Sequence, residues 1–285
     1  MTRQPLASLA LLVAGLCAFS TPARALEGTL KAIKDRKAIV VGYLKDAFPM
    51  SFESPSGPDG YSVELCSRVA AEAGKAVGIE KLDIKYVALT LDNRLDAVAS
   101  GKVDIECSTT TMTLTRMQKV DFTNMTFVDG GGLAVRKGSA IKNIAGLVGE
   151  SVAVVPGTTT EKALKAAIAE AYVNTKVISV PDHAAGVAAV QEGKASAYAS
   201  DRIILAGLLS RSQSAGLELV PMQFSFEPYG FSLRRNDSDF RLVANRALSR
   251  AFRSTDIANI VERYFGGAKP GDALLLMYLL NATPE

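Results

Sequence analysis

The chain has 285 residues, with 32 Lys and Arg against 29 Asp and Glu, one His, three Cys and no Trp. Its formal charge of +3 is spread without a block or stripe of either sign, which argues against a nucleic-acid partner and lends nothing to membrane-surface binding. The low aromatic content and the missing Trp weigh against a carbohydrate-stacking site.

Residues 1–25 read as a secretory signal peptide. Arg3 gives a positive start, LASLALLVAGLCAFS is an apolar run, and Ala23-Arg24-Ala25 is a small-x-small cleavage site, with cleavage expected after Ala25. Cys17 lies in this run, but Leu16 stands where a lipobox needs a small residue. No later apolar run reaches the roughly 18 residues of a spanning helix. A soluble periplasmic chain of about 260 residues is expected, a length that favours two domains. Loss of Arg3 and Arg24 lowers the charge from +3 to about +1.

From there strands and helices alternate. A strand over 38–44 is followed by a helix over 61–74, a strand at KLDIKYVAL, a short helix at LDNRLDAVASG and a strand at VDIECS. After the glycines at 130–132 the pattern restarts. SVAVVPG, KVISV and SAYAS are strands, and TTTEKALKAAIAEAYV, DHAAGVAAVQEGKA and DRIILAGLLSRS are helices. ELVPMQFSFEPYGFSLRRN reads as extended, and the residues from Ser238 to Gly266 as helical. This alternation predicts an α/β fold of parallel sheets flanked by helices. The segments at 130–132 and 221–232 look like two crossings between lobes. Lobe 1 is then expected over 26–130 and 227–285, with lobe 2 inserted at 131–226, an arrangement suited to hinge closure on a ligand.

Several residues stand where chemistry is possible. VDIECSTTTMTLTRMQKVDFT gathers threonines, Thr109 and Thr111 among them, beside Arg116 at a strand-to-helix junction. An arginine fork matches a carboxylate, and an exposed arginine in a Thr-rich turn is the plain alternative. Arg94 in LDNRLDAV has the same two readings. In PGTTTE, Thr158 and Glu161 have capping-box spacing, and the turn is either a well-capped helix or an anion site. Asp201 ends a strand and opens a helix, so it is an N-cap by default or a partner for an ammonium. His183 follows the N-cap candidate Asp182. Cys66 and Cys107 are open to a disulfide, which export permits, or to two buried thiols. No metal cluster, phosphate loop or nucleophile elbow appears, so neither cofactor nor catalysis is expected.

Together these stretches resemble the periplasmic amino-acid-binding proteins of ABC importers, bacterial solute-binding protein family 3. The resemblance rests on GYSVELCSRVA, DNRLDAVASGKVDIECSTTT, TRMQKVDFT, GTTTE, VQEGKASAYASD, SLRRND and LLLMYLLNATPE. IECSTTT and DHA are most similar to the glutamate/aspartate-binding branch. The resemblance implies the two-lobed periplasmic-binding-protein fold, an amino-acid ligand, an inner-membrane ABC permease as partner and a monomer. It implies that Arg116 clamps the ligand's α-carboxylate with Thr109 and Thr111, and that Thr158 and Thr159 add donors from lobe 2. Asp201 then takes the α-ammonium, and Arg94 and His183 lie near the acidic side chain. Leu44 and Leu91 depart from that branch, which carries an arginine and a serine there. Lys45, one residue along the strand, points to the opposite face. A pocket with Arg94, Arg116 and His183 and only Asp201 as acid is net cationic, which a second carboxylate on the ligand balances; a neutral amino acid is the alternative. Two rivals from other classes remain: an amino-acid sensor for a signalling partner, and a cyclohexadienyl-dehydratase-like enzyme using Asp201, His183 or Glu106.

Overall fold

The structure is a computed structural model and describes residues 26–210 and 216–284. The signal-peptide reading of 1–25 lies outside them. Among the described residues no helix is long and apolar enough to cross a membrane.

The run after α1 (Gly28–Arg36) is β1 (Ala38–Leu44), apolar at nearly every position and almost wholly buried. A strand with both faces covered needs such a run, and β1 lies inside a parallel stretch between β5 (Asp83–Leu89) and β6 (Ile105–Glu106). The sheet of lobe 1 has the order β5-β1-β6-β13-β7, with β7 (Val120–Asp129) and β13 (Glu227–Arg234) antiparallel at one side. Helix α2 (Tyr61–Val77) buries Leu65, Val69 and Ala73 on one stripe and ends at Gly78 in the left-handed conformation.

Lobe 2 repeats the plan in the order β10-β9-β11-β8-β12. Its strands are β8 (Gly131–Arg136), β9 (Ser151–Val154), β10 (Lys176–Ser179), β11 (Ala197–Asp201) and β12 (Leu217–Leu219). Helices α5 (Thr159–Glu170), α6 (His183–Gln191) and α7 (Arg202–Leu209) cover it, following α3 (Arg94–Ala99) and α4 (Leu114–Met117) of lobe 1. The chain passes between the sheets at Gly130 and again between β12 and β13. The two passages lie side by side: Phe224 N donates to Gly131 O at 2.9 Å, and Gly131 N to Ser225 Oγ at 2.8 Å. A Cβ on Gly130 would stand 2.3 Å from Gln223 Cδ, so a side chain at the first crossing would have to displace this exposed glutamine.

Several elements differ from expectation. Residues 220–226 form no strand, and β13 starts only at Glu227. The helical run after Ser238 breaks at Ser254, whose backbone is extended, giving α8 (Ser238–Arg253) and α9 (Asp256–Tyr264). A small sheet of β2 (Asp46–Ala47), β3 (Ser51–Ser54) and β4 (Gly57–Asp59) and a last helix α10 (Asp272–Asn281) were not anticipated. Cys66 and Cys107 are joined, with Cα atoms 6.3 Å apart, pinning α2 to the end of β6. Closing a 41-residue separation stabilises by about 4 kcal/mol on loop entropy.

Candidate functional site

Loops that follow parallel strands emerge at the carboxyl edge of a sheet, where open α/β sheets form their crevices. Both lobes present such edges to one cavity holding about 340 Å³ of atom-free space, part of it open to solvent. Lobe 1 contributes Leu91 and Arg94 after β5 and Thr109 after β6. Lobe 2 contributes Thr158–Thr160 after β9, His183 at the start of α6, and Ser200 and Asp201 at the end of β11.

Arg94 opens α3 behind a turn fixed in both directions: Thr90 N donates to Asn93 Oδ1 at 3.0 Å, and Asn93 N to Thr90 Oγ1 at 3.2 Å. The arginine is only 3 % exposed, yet its Nε and Nη1 find no hydrogen-bond partner among the described residues. A buried cation with two unmet donors is costly unless something polar joins it.

His183 is 5 % exposed. Its Nδ1 lies 2.7 Å from Tyr198 Oη, and its Nε2 is buried without a partner. Burial pushes the imidazole pKa down, against the opposing pull of Asp46 and Asp201, so the ring is neutral. Burial also raises the Tyr198 hydroxyl, which keeps its proton. Nδ1 and Tyr198 Oη share one hydrogen, and where the hydroxyl supplies it the ring's own proton is on Nε2.

Asp201 stands at the N-cap position of α7, but its side chain does not cap. It accepts instead from Thr160 Oγ1 and Tyr229 Oη. Burial, then Asp129 and Glu227, push its carboxyl up to about 6. Tyr229 Oη is also 3.1 Å from Asp129 Oδ2, so one hydroxyl proton serves two carboxylates.

Thr158 caps α5, accepting from Glu161 N at 3.0 Å, while Glu161 takes Gly157 N at 2.8 Å. The capped-helix reading and a donor-bearing helix start on the cavity therefore coexist. Arg116 and Thr111 are not on the cavity lining. Arg116 Nη1 donates to Thr111 O at 2.9 Å, and desolvation followed by the charge of Arg94 lowers its pKa to about 10, leaving it a cation. Thr111 Oγ1 donates to Glu227 Oε2 at 2.6 Å.

Sequence reasoning missed Glu227 and Tyr229, and the acid count of one for this region is corrected. Glu227, 1 % exposed, also accepts from Thr159 at 2.7 Å and Ser225 at 2.8 Å. Glu227 and Glu106 both hold up the charge on Arg116. Glu106 itself is buried among Ser108, Thr110 and Ser232, whose hydroxyls donate to it, and does not face the cavity. Leu44 is core, and Lys45 points away toward Glu53 at 3.9 Å.

Two sheets joined by paired crossings, with complementary donors on facing strand ends, define a two-lobed ligand-binding fold. The chain belongs to the bacterial extracellular solute-binding proteins, family 3, matched over residues 39–267. It is 31 % identical to the L-glutamate/L-aspartate-binding protein of Pseudomonas aeruginosa, over 95 % of this chain and 90 % of that one. It is 29 % identical to the glutamate/aspartate import solute-binding protein of Salmonella typhimurium, with the same coverage of 95 % and 90 %. Among solved structures, the ancestral amino acid-binding protein AncCDT-1, a precursor of cyclohexadienyl dehydratase, aligns with a TM-score of 0.73 at 28 % identity, over 84 % of this chain and all of that one.

Because Arg94 is a buried cation lacking partners, Arg94→Met should stabilise the ligand-free protein by about 1–3 kcal/mol in urea unfolding. A loss of stability would mean that the folded protein relies on that charge.

Proposed function

We propose that this chain captures an amino acid in the interlobe cavity, in the periplasm, and delivers it to an inner-membrane ABC permease, and that the ligand is acidic, glutamate or aspartate. The observation that carries the acidic reading is Arg94, a buried guanidinium on the cavity with Nε and Nη1 unpartnered. Arg116 donates to Thr111 O and feels the charges of Glu227, Glu106 and Asp201, whereas the Nε and Nη1 of Arg94 have no partner among the described residues. A side-chain carboxylate would supply one, and the Nε2–H of neutral His183 would donate to the same group. The names of the relatives from Pseudomonas aeruginosa and Salmonella typhimurium support the same ligand class. In this reading Asp201 receives the α-ammonium. The α-carboxylate is held by Thr109, by backbone N–H groups at the N-terminus of α5 around Thr158 and Thr159, and by Arg116 from just beyond the lining. Thr111 supports Arg116 through its carbonyl while its hydroxyl serves Glu227.

An enzyme on the same fold is the second reading, supported by Asp201, raised to about 6, and a neutral histidine on one cavity. Product formed from prephenate or arogenate would establish it.

A thermal-shift screen of the ligand-free mature chain against the common amino acids tests the first reading. A ligand at 100 times its dissociation constant stabilises by about 2.7 kcal/mol. Glutamate or aspartate should raise the melting temperature, and Arg116→Ala should weaken that ligand by about 2–5 kcal/mol. A shift with neutral amino acids alone would overturn the acidic assignment.

The pH dependence has a definite sign. An ammonium needs Asp201 ionised, and its carboxyl is raised to about 6. Affinity by calorimetry should be flat above roughly pH 7 and fall about tenfold per unit below 6, before the ligand's own side-chain carboxyl titrates near 4. Affinity unchanged down to pH 5 would remove Asp201 as the ammonium partner.

A further inference from the structure

We propose that Gly207, outside the cavity, is a positioning residue for ligand capture: its missing side chain lets the two lobes close against each other along a seam at the β2–β3 turn. The proposal rests on the receptor reading above.

Helix α7 belongs to lobe 2 by chain order, between β11 and β12. Its Ile204, 1 % exposed, nevertheless lies in the core of lobe 1, with Ile203 and Leu208 packed against the same cluster. At Gly207 the helix meets the turn between β2 and β3 of lobe 1. A Cβ there would stand 2.4 Å from Phe48 O and 2.7 Å from Pro49 Cδ. Neither atom is the free end of a flexible side chain, since one is backbone and the other part of a ring.

The turn is tied to its own lobe. Tyr61 N donates to Pro49 O at 3.1 Å, Ser62 N to Met50 O at 2.8 Å, and Met50 N to Ala47 O at 2.9 Å. Helix α7 is tied at its start, with Arg202 N on Gly130 O and Ile203 N on Asp129 Oδ2, each at 2.9 Å. A methyl at 207 can therefore enter only if this end of α7 and the turn move apart. Glycine within a helix is unfavourable relative to alanine, and close approach accounts for its presence.

The same turn touches lobe 2 a second time. Asp46 Oδ2 accepts from His183 N, at the start of α6, at 3.3 Å. Asp46, Phe48, Pro49 and Gly207 are all absent from the cavity lining. The seam thus biases the lobes toward closure without touching ligand, and the bias adds to the affinity of whatever the cavity holds.

The test is Gly207→Ala in the disulfide-intact mature chain, using L-glutamate as probe, with calorimetry for affinity and small-angle X-ray scattering for closure. The variant should bind at least tenfold more weakly and show a smaller ligand-induced drop in radius of gyration. Its far-UV circular dichroism should stay unchanged, which separates lost closure from lost folding. Asp46→Asn, which adds no volume, should weaken binding in the same direction by a smaller factor and carries the test if the alanine variant does not fold. Unmodified affinity and scattering in both variants would overturn the proposal. If the unmodified chain binds no amino acid, the receptor reading fails, and ligand-free scattering still decides the seam: a larger radius of gyration in Gly207→Ala supports it, and an equal one refutes it.

Discussion

The carboxylate of Glu227 enters the sheet of lobe 1 from the second crossing, almost wholly removed from water. A desolvated carboxylate must be surrounded by donors, and those donors come from three separate segments. Thr111 arrives from the end of β6, Thr159 from the start of α5, and Ser225 from the crossing itself. The first two hydroxyls meet at the same oxygen and lie 3.1 Å from each other, so satisfying this one acid draws the carboxyl edges of both sheets together. Its charge also helps keep Arg116 a cation despite desolvation. The approach of the two sheet edges follows from where this acid is buried, and its charge adds to those of Glu106 and Asp201 in supporting the arginine cation.

Around the cavity, polar groups divide by whether the protein completes them. Glu106, Glu227 and Asp129 have their donors within the chain. Arg94 and the Nε2 of His183 do not, and both lie on the same lining as Asp201. In the proposed reading, the unpartnered groups of Arg94 and His183 and the carboxylate of Asp201 on one lining would complement a molecule bearing an acid and an ammonium. The neutral state of His183 matters here, because an imidazolium beside Arg94 would add a second unbalanced charge.

The strand-to-helix junctions were legible in the sequence because a parallel sheet forces functional groups to strand ends. That alternation placed Thr109, Thr158 and Asp201 at strand-to-helix junctions and Arg94 and His183 in helices that follow strands. The family resemblance marked them for a ligand together with Thr159, Arg116 and Thr111, and six of these eight line one cavity, Arg116 and Thr111 lying outside it. Asp201 shows the limit: position marked it as an N-cap, but only three-dimensional packing reveals Thr160 and Tyr229 as its partners. Glu227 and Tyr229 escaped notice because FEPYG sat inside an extended run, where alternation fixes a face but not what lies across it. Gly207 was silent for a similar reason: an isolated glycine in a helical pattern is tolerated, and nothing local announces a carbonyl from residue 48 in its path. The break at Ser254 carries no glycine or proline to announce it, although the apolar stripe changes phase there, from Ala251 and Phe252 to Ile257 and Ile260.

Contacts that close the lobes fall into two kinds with different consequences. Those between Thr111, Thr159 and Glu227, and those at the β2–β3 turn, are made by protein alone. They favour the closed state equally for every ligand, so they scale all affinities together and select none. Under the proposed function, discrimination would come from Arg94, His183 and Asp201, the lining groups that the protein leaves unmet or shifted. Leu91 lies on the same lining and offers it no hydrogen-bonding group. Asp201 belongs to both kinds, because it lies on the lining and also accepts from Tyr229 across the lobes.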